Sequence, residues 1–132
     1  MLPQAKQLID AAIAIRKNAY APYSKFLVGS AVLTEDGTVF TGTNVENASY
    51  GLAICAERVA ASAAIAAGHR KITAVAVATS GGASPCGACR QFLSEFGDSM
   101  AVLLVDADNT EQLESTSLDK LLPAQFHLKL QD

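Results

Sequence analysis

Tryptophan is absent from this chain, histidine occurs twice, and cysteine occurs three times, at positions 55, 86 and 89. Three cysteines cannot pair into disulfides without a remainder, and a four-ligand structural zinc site needs one more side chain than they offer. Charge is sparse: charged residues make up 17% of the chain, and the ten Lys and Arg are scattered, with Arg70-Lys71 the densest pair. With a formal net charge of -3, clustered cations that would displace counterions from a phosphate backbone are missing, which weighs against a nucleic-acid partner. Uninterrupted apolar runs of membrane-spanning length are missing too, and Pro3, Lys6 and Asp10 interrupt the segment where a signal peptide needs an apolar core. A soluble, cytoplasmic protein without a membrane partner is expected. In a reducing compartment its thiols serve as metal ligands or catalysts rather than as cross-links.

What the chain does have is apolar residues, 50% of its 132, enough to build a buried core in a single domain spanning residues 1–132. From Pro3 to Ala19, Leu8, Ile9, Ala12, Ile13 and Ile15 recur at helical spacing up to the Ala21-Pro22 turn. Phe26–Thr34 and Thr38–Asn44 flank Glu35-Asp36-Gly37 and predict a β-hairpin. NVENASYGLAI reads as a loop, and CAERVAASAAIAA (Cys55–Ala67) as a helix that stops at Gly68. Then follow a buried strand (Ile72–Ser80), a GGASP loop, a helix (Cys86–Phe96), a strand (Ala101–Asp108) and a short helix (Ser117–Pro123). A hairpin followed by alternating helices and strands predicts an α/β sandwich on a mixed sheet, a class that binds ligands at the carboxyl ends of strands.

That rule places Cys55 and the pair Cys86/Cys89 at the amino termini of two helices, where partial positive charge and free N–H groups favour thiolates. The two-residue gap in PCGAC lets both sulfurs grip one ion, and Pro85 suits a helix entry. Two residues beyond Cys55 stands Glu57. Alone it is an acid in a helix first turn; next to a metal held by three protein ligands, with the fourth position open to water, it can carry protons.

Cys-x-Glu followed by Pro-Cys-x-x-Cys is the pattern of zinc deaminases, with Cys replacing His as the first ligand. Through AYAPYSKFLVGSAV, NVENASYGLAICAER, SPCGACRQ and LLPAQF, the chain resembles the small homotetrameric cytidine deaminases over nearly its whole length. The resemblance implies a three-layer α/β/α sandwich with a central five-stranded mixed sheet. It implies hydrolytic deamination of cytidine and deoxycytidine to uridine and deoxyuridine, a pyrimidine-salvage reaction, with one Zn2+ per subunit. Cys55, Cys86 and Cys89 would hold the zinc, Glu57 would move protons, and Arg58 would offset the charge of three thiolates. Asn44 and Glu46 would bind the ribose, Phe26 would pack on the pyrimidine, and Ala56 and Ser84 would offer backbone groups to the base. Phe126 and Tyr50 would reach in from neighbouring subunits of a homotetramer.

His69 and His127 belong to no matching motif and read as cap or surface residues. Thr43 occupies a position where many relatives carry an extra, non-ligating cysteine. The alanine face of the Cys55 helix (Ala60, Ala63, Ala64, Ala67) suits either a second helix or packing within one subunit. Three rival readings are a blasticidin-type deaminase, which NVEN disfavours, a non-catalytic zinc module, and a nucleic-acid-editing deaminase, which the acidic balance disfavours.

Overall fold

The alternation of alanine and valine from Ala74 to Ala78 decides how the layers stack. In the computed structural model, which describes residues 3–130, these residues occupy the middle strand of a five-stranded sheet. Its strands are β1 (Gly29–Thr34), β2 (Val39–Thr43), β3 (Ile72–Thr79), β4 (Ala101–Asp106) and β5 (Asn109–Ser117), in the order β2-β1-β3-β4-β5. β3 and β4 run parallel and the other neighbours antiparallel, so the sheet is mixed.

Successive side chains in a strand point to opposite faces. Val75 and Val77 therefore join Val32, Val102 and Leu104 in one core, while Ala74, Ala76 and Ala78 join Ala31, Leu33, Leu103 and Val105 in the other. Helix α1 (Ala5–Ile15) buries Ala5, Leu8 and Ala12 against the alanine face. Helices α2 (Ala56–Ala66) and α3 (Gly87–Ser94), with the short α4 (Leu118–Leu121), cover the valine face through Ala60, Ala61, Ala64, Leu93 and Leu118. The result is the three-layer α/β/α sandwich.

Close approach explains why α2 is built from alanine. A Cβ added at Gly42 of β2 would lie 2.4 Å from the Ala60 backbone nitrogen, so helix and strand touch through backbone. Ala60 and Ala64 are spent on this packing inside the subunit, whereas Ala67 is exposed. The helix ends where Gly68 adopts φ +102°, a conformation that favours glycine.

Four sequence expectations need correction. Phe26 does not begin a strand: β1 starts at Gly29, and Phe26 precedes it in an irregular segment. The first helix is α-helical only to Ile15, then tightens into a 3-10 turn over Arg16–Asn18. β5 was invisible to pattern reading, because NTEQLESTS is polar on both faces and mostly exposed; its pairing with β4 is made by backbone. The last helix stops at Leu121, because Leu122 precedes Pro123 and is pushed to an extended φ of -138°. Among the described residues no helix is long and apolar enough to cross a membrane.

Candidate active site

Cys55 and Cys86 are the N-caps of α2 and α3, and Cys89 lies one turn into α3. Both helices start on the same side of the sheet, at the carboxyl end of β3, so three sulfurs far apart in sequence meet. Their Sγ atoms all lie within 4.8 Å of one another, with Cys55 and Cys86 3.8 Å apart. Three sulfurs bound tetrahedrally at about 2.3 Å from one zinc ion stand roughly 3.8 Å apart, so the donor set fits that metal. Neither His69 nor His127 joins the cluster. His69 instead packs edge-on against Phe40, with ring centroids 5.2 Å apart, just past the end of α2.

The electrostatics of the trio follow from unequal surroundings. Cys89 donates to Cys55, and Arg58 Nη2 donates to the same sulfur at 3.5 Å; together they hold the Cys55 thiol down at about 5. Cys89 is pushed up, first by its hydrogen bond to Cys55 and then by its own burial. Glu57, in the first turn of α2, is only 4% exposed, and burial raises its carboxyl above the ordinary range.

Glu57 and the sulfurs of Cys55 and Cys86 border a cavity of about 280 Å3, whose walls include Phe26, Asn44, Glu46, Ala56 and Ser84. Five further expected site residues therefore surround one space together with Glu57 and two of the cysteines. Val28, Ala53, Ile54, Val77, Thr79 and Ala83 complete its lining.

Two of the expected sugar ligands are already engaged. Asn44 Nδ2 donates to Phe26 O at 2.8 Å, and its Oδ1 accepts from Val28 N at 3.0 Å, so the side chain stands in for a strand neighbour and fixes Phe26. Glu46 Oε1 accepts from the backbone N–H groups of Tyr23 (3.0 Å) and Ser24 (3.1 Å), and its Oε2 accepts from the Ser24 hydroxyl. Those bonds lower its carboxyl, the Ser24 hydroxyl most of all. Ser24 Oγ in turn accepts from Phe26 N at 3.0 Å.

Tyr50 and Phe126 are not part of this cavity. Tyr50 is 82% exposed beside a second hollow that shares Glu46, and Phe126 is 68% exposed on the tail beyond α4.

Sequence reasoning missed two residues. Ser24 gave no signal beyond its place in the AYAPYSKF stretch. Arg90 is given no role by that reasoning, yet its guanidinium donates to Pro85 O (2.8 Å), Ser84 Oγ (3.0 Å) and Leu121 O (2.7 Å). Its position directly after a metal-ligand candidate was the available clue.

Comparison with known proteins agrees with this geometry. The family model described as "Cytidine and deoxycytidylate deaminase zinc-binding region" matches residues 2–105. The cytidine deaminase of Sporosarcina psychrophila is 46% identical over 124 residues, covering 92% of this chain and 90% of that protein. That of Halalkalibacterium halodurans is 42% identical over 125 residues, 92% of each. Among solved structures, the cytidine deaminase from Burkholderia pseudomallei superposes with a TM-score of 0.87 at 49% identity, covering 92% of this chain and 98% of that one. The Mycobacterium tuberculosis enzyme gives 0.80 at 40% identity, with 93% and 97% covered.

Proposed function

The chain belongs to the cytidine and deoxycytidylate deaminase family, and from that premise we propose that it converts cytidine and deoxycytidine, with water, to uridine or deoxyuridine and ammonia. It is a hydrolase of carbon–nitrogen bonds. The observation that carries the reading is a cluster of three cysteine sulfurs, two of which border a nucleoside-sized cavity together with Glu57.

Cys55, Cys86 and Cys89 would hold the zinc ion, which would supply the Lewis acidity that makes water a nucleophile near neutral pH. Glu57 handles the protons. It takes one from the attacking water and gives it to N3 of the base, which makes C4 electrophilic, and the water oxygen adds there. The same carboxylate then carries a proton to the exocyclic amine, and the C4–N bond breaks to release ammonia. A carboxyl raised by burial suits this work, because it must accept and donate within one turnover. Backbone groups of Ala56 and Ser84 hold the base edge, and Phe26 packs on the ring.

Glu46 selects the sugar by what it has left. A carboxylate offers about four lone-pair sites, and Tyr23 N, Ser24 N and Ser24 Oγ take three. One remains, enough for a single hydroxyl, which we assign to the 3'-OH. On that count the 2'-OH has no partner on Glu46, so both nucleosides fit. Asn44 supports the same end through the N–H that Phe26 does not use. A free base would leave these groups unpaired and is the poorer substrate.

The reading extends to a cytoplasmic homotetramer whose subunits are single catalytic domains. Its support is the apolar surface around the cavity mouth, where Tyr20, Val45, Tyr50, Leu52 and Ile54 are all more than 40% exposed, as is Phe126 on the tail. Tyr50 and Phe126 would enter neighbouring sites.

The test is the ultraviolet absorbance of cytidine and of deoxycytidine incubated with the zinc-loaded protein and with its Glu57→Gln variant. Turnover of both nucleosides by the wild type, with loss of at least 1,000-fold in the variant, is expected on the order of general acid–base catalysis. A wild type inert on both would overturn the function, and an undiminished variant would overturn the role of Glu57.

A further inference from the structure

We propose that Arg90 is a positioning residue for this reaction: one guanidinium clamps the turn that carries Ser84 and Cys86 and ties it to the carboxyl-terminal tail. Around Ser84 and Pro85 the side-chain hydrogen bonds of the turn all come from Arg90. The turn leaves β3 through Gly81 and Gly82, both at positive φ (+84° and +72°), and Ala83 and Ser84 are exposed. Upstream it is pinned by Ala83 N donating to Thr79 Oγ1 at 2.6 Å and by Gly81 N donating to Asp106 Oδ1 at 3.0 Å. From Ser84 onward the chain is held by the burial of Pro85 and by the hydrogen bonds of Arg90.

Three acceptors in three directions require the planar fork of arginine. Nε reaches Pro85 O, the carbonyl just before Cys86, and Nη2 reaches the Ser84 hydroxyl. Nη1 points the other way, to Leu121 O at the end of α4. A lysine carries one compact charge and cannot span these acceptors together. The next residue, Gln91, extends the link, because its Nε2 donates to Phe126 O at 3.4 Å. Consecutive side chains of α3 thus hold the base-contacting turn and the tail that bears Phe126. Cys55, Glu57 and Cys89 do not depend on this clamp, since α2 and the body of α3 hold them. Losing Arg90 should therefore displace Ser84 and Cys86 while leaving the proton carrier in place.

The kinetic half of this inference rests on the proposed deaminase activity; the metal half does not. The experiment compares wild type, Arg90→Gln and Arg90→Lys as full-length folded protein. It measures cytidine kinetics on the zinc form and the thiolate-to-cobalt absorption band on the cobalt-substituted form. Outer contacts of this kind are worth about 10–100-fold. Arg90→Gln should raise KM by roughly tenfold or more, change kcat much less, and alter the cobalt band as Cys86 shifts. Arg90→Lys should recover only part of either.

A purely structural arginine would lower the melting temperature and leave KM and the cobalt band of the folded fraction unchanged. That result overturns the proposal, as does full recovery by lysine. If Arg90→Gln does not fold, Arg90→Lys decides by the same two readings. A wild type inert on cytidine would remove the proposed function, and the cobalt band alone would then decide the clamp.

Discussion

Arg58 Nη2 lies 3.5 Å from Cys55 Sγ, and Nε of the same guanidinium is buried without a hydrogen-bond partner on the protein. The two residues are one helical turn apart, which places a fixed positive charge beside the Cys55 sulfur and helps lower its thiol. Arg58→Ala should speed zinc loss to a chelator by about 10–100-fold, in the range typical of contacts to a metal ligand. Arg58→Lys should lie between. Zinc release followed with a colorimetric chelator settles the matter, and identical release rates for all three proteins would show that Arg58 leaves the metal untouched.

Ser24 links the two ends of the substrate site, since its hydroxyl donates to Glu46 and accepts from Phe26 N. Ser24→Ala frees a carboxylate oxygen and a backbone N–H at once. Because this hydrogen bond is to a charged group, KM for both nucleosides should rise by roughly tenfold with little change in kcat. Steady-state kinetics check this, and an unaltered KM would mean that Ser24 does not order Glu46.

Gly42→Ala tests the packing of α2 on β2. The new Cβ meets backbone on two sides, Ala60 N at 2.4 Å and Ala56 O at 2.9 Å, and backbone cannot rotate away as a side chain could. The helix that bears Cys55 and Glu57 must shift. We expect a loss of about 3 kcal/mol or more and a melting temperature lower by about 10 °C. A variant that melts with the wild type would show that the helix–strand spacing is soft.

Subunit sharing of the site can be tested by mixing. Glu57→Gln protein keeps its tail aromatic, and Phe126→Ala protein keeps its proton carrier. After dissociation and reassembly, hybrid oligomers should contain sites with Glu57 from one chain and Phe126 from another. Activity should rise well above the sum of the two separate preparations. Activity that stays at the sum would place Phe126 outside its neighbour's site.

The metal half of the site was legible because its residues carry chemistry in their identity: cysteines at a fixed gap, and a carboxylate two residues past a third cysteine. Their convergence followed from a rule about strand ends, and the helix N-caps bear it out. Less visible were groups whose role depends on what comes to meet them. Arg90 matters through Leu121, 31 residues away, and no local pattern reports that contact. Asn44 is expected as a sugar ligand, but its amide first replaces the missing sheet partner of Phe26–Val28. β5 escaped because an edge strand that buries almost nothing has no apolar period to read. The alanine face of α2 could not be assigned from sequence, since small residues permit any close neighbour; Gly42 supplies the neighbour.

The middle strand β3 is bracketed in sequence by α2 before it and α3 after it, so the three cysteines and Glu57 all fall within Cys55–Cys89. Phe26, Asn44, Glu46 and Ser24 come from the hairpin and its flanking loops, outside that interval. The proposed metal and proton machinery and the proposed sugar contacts are thus written in separable paragraphs of the chain. The earlier one is open to revision, by selection or by an engineer seeking a different sugar, with the later one left word for word as it stands.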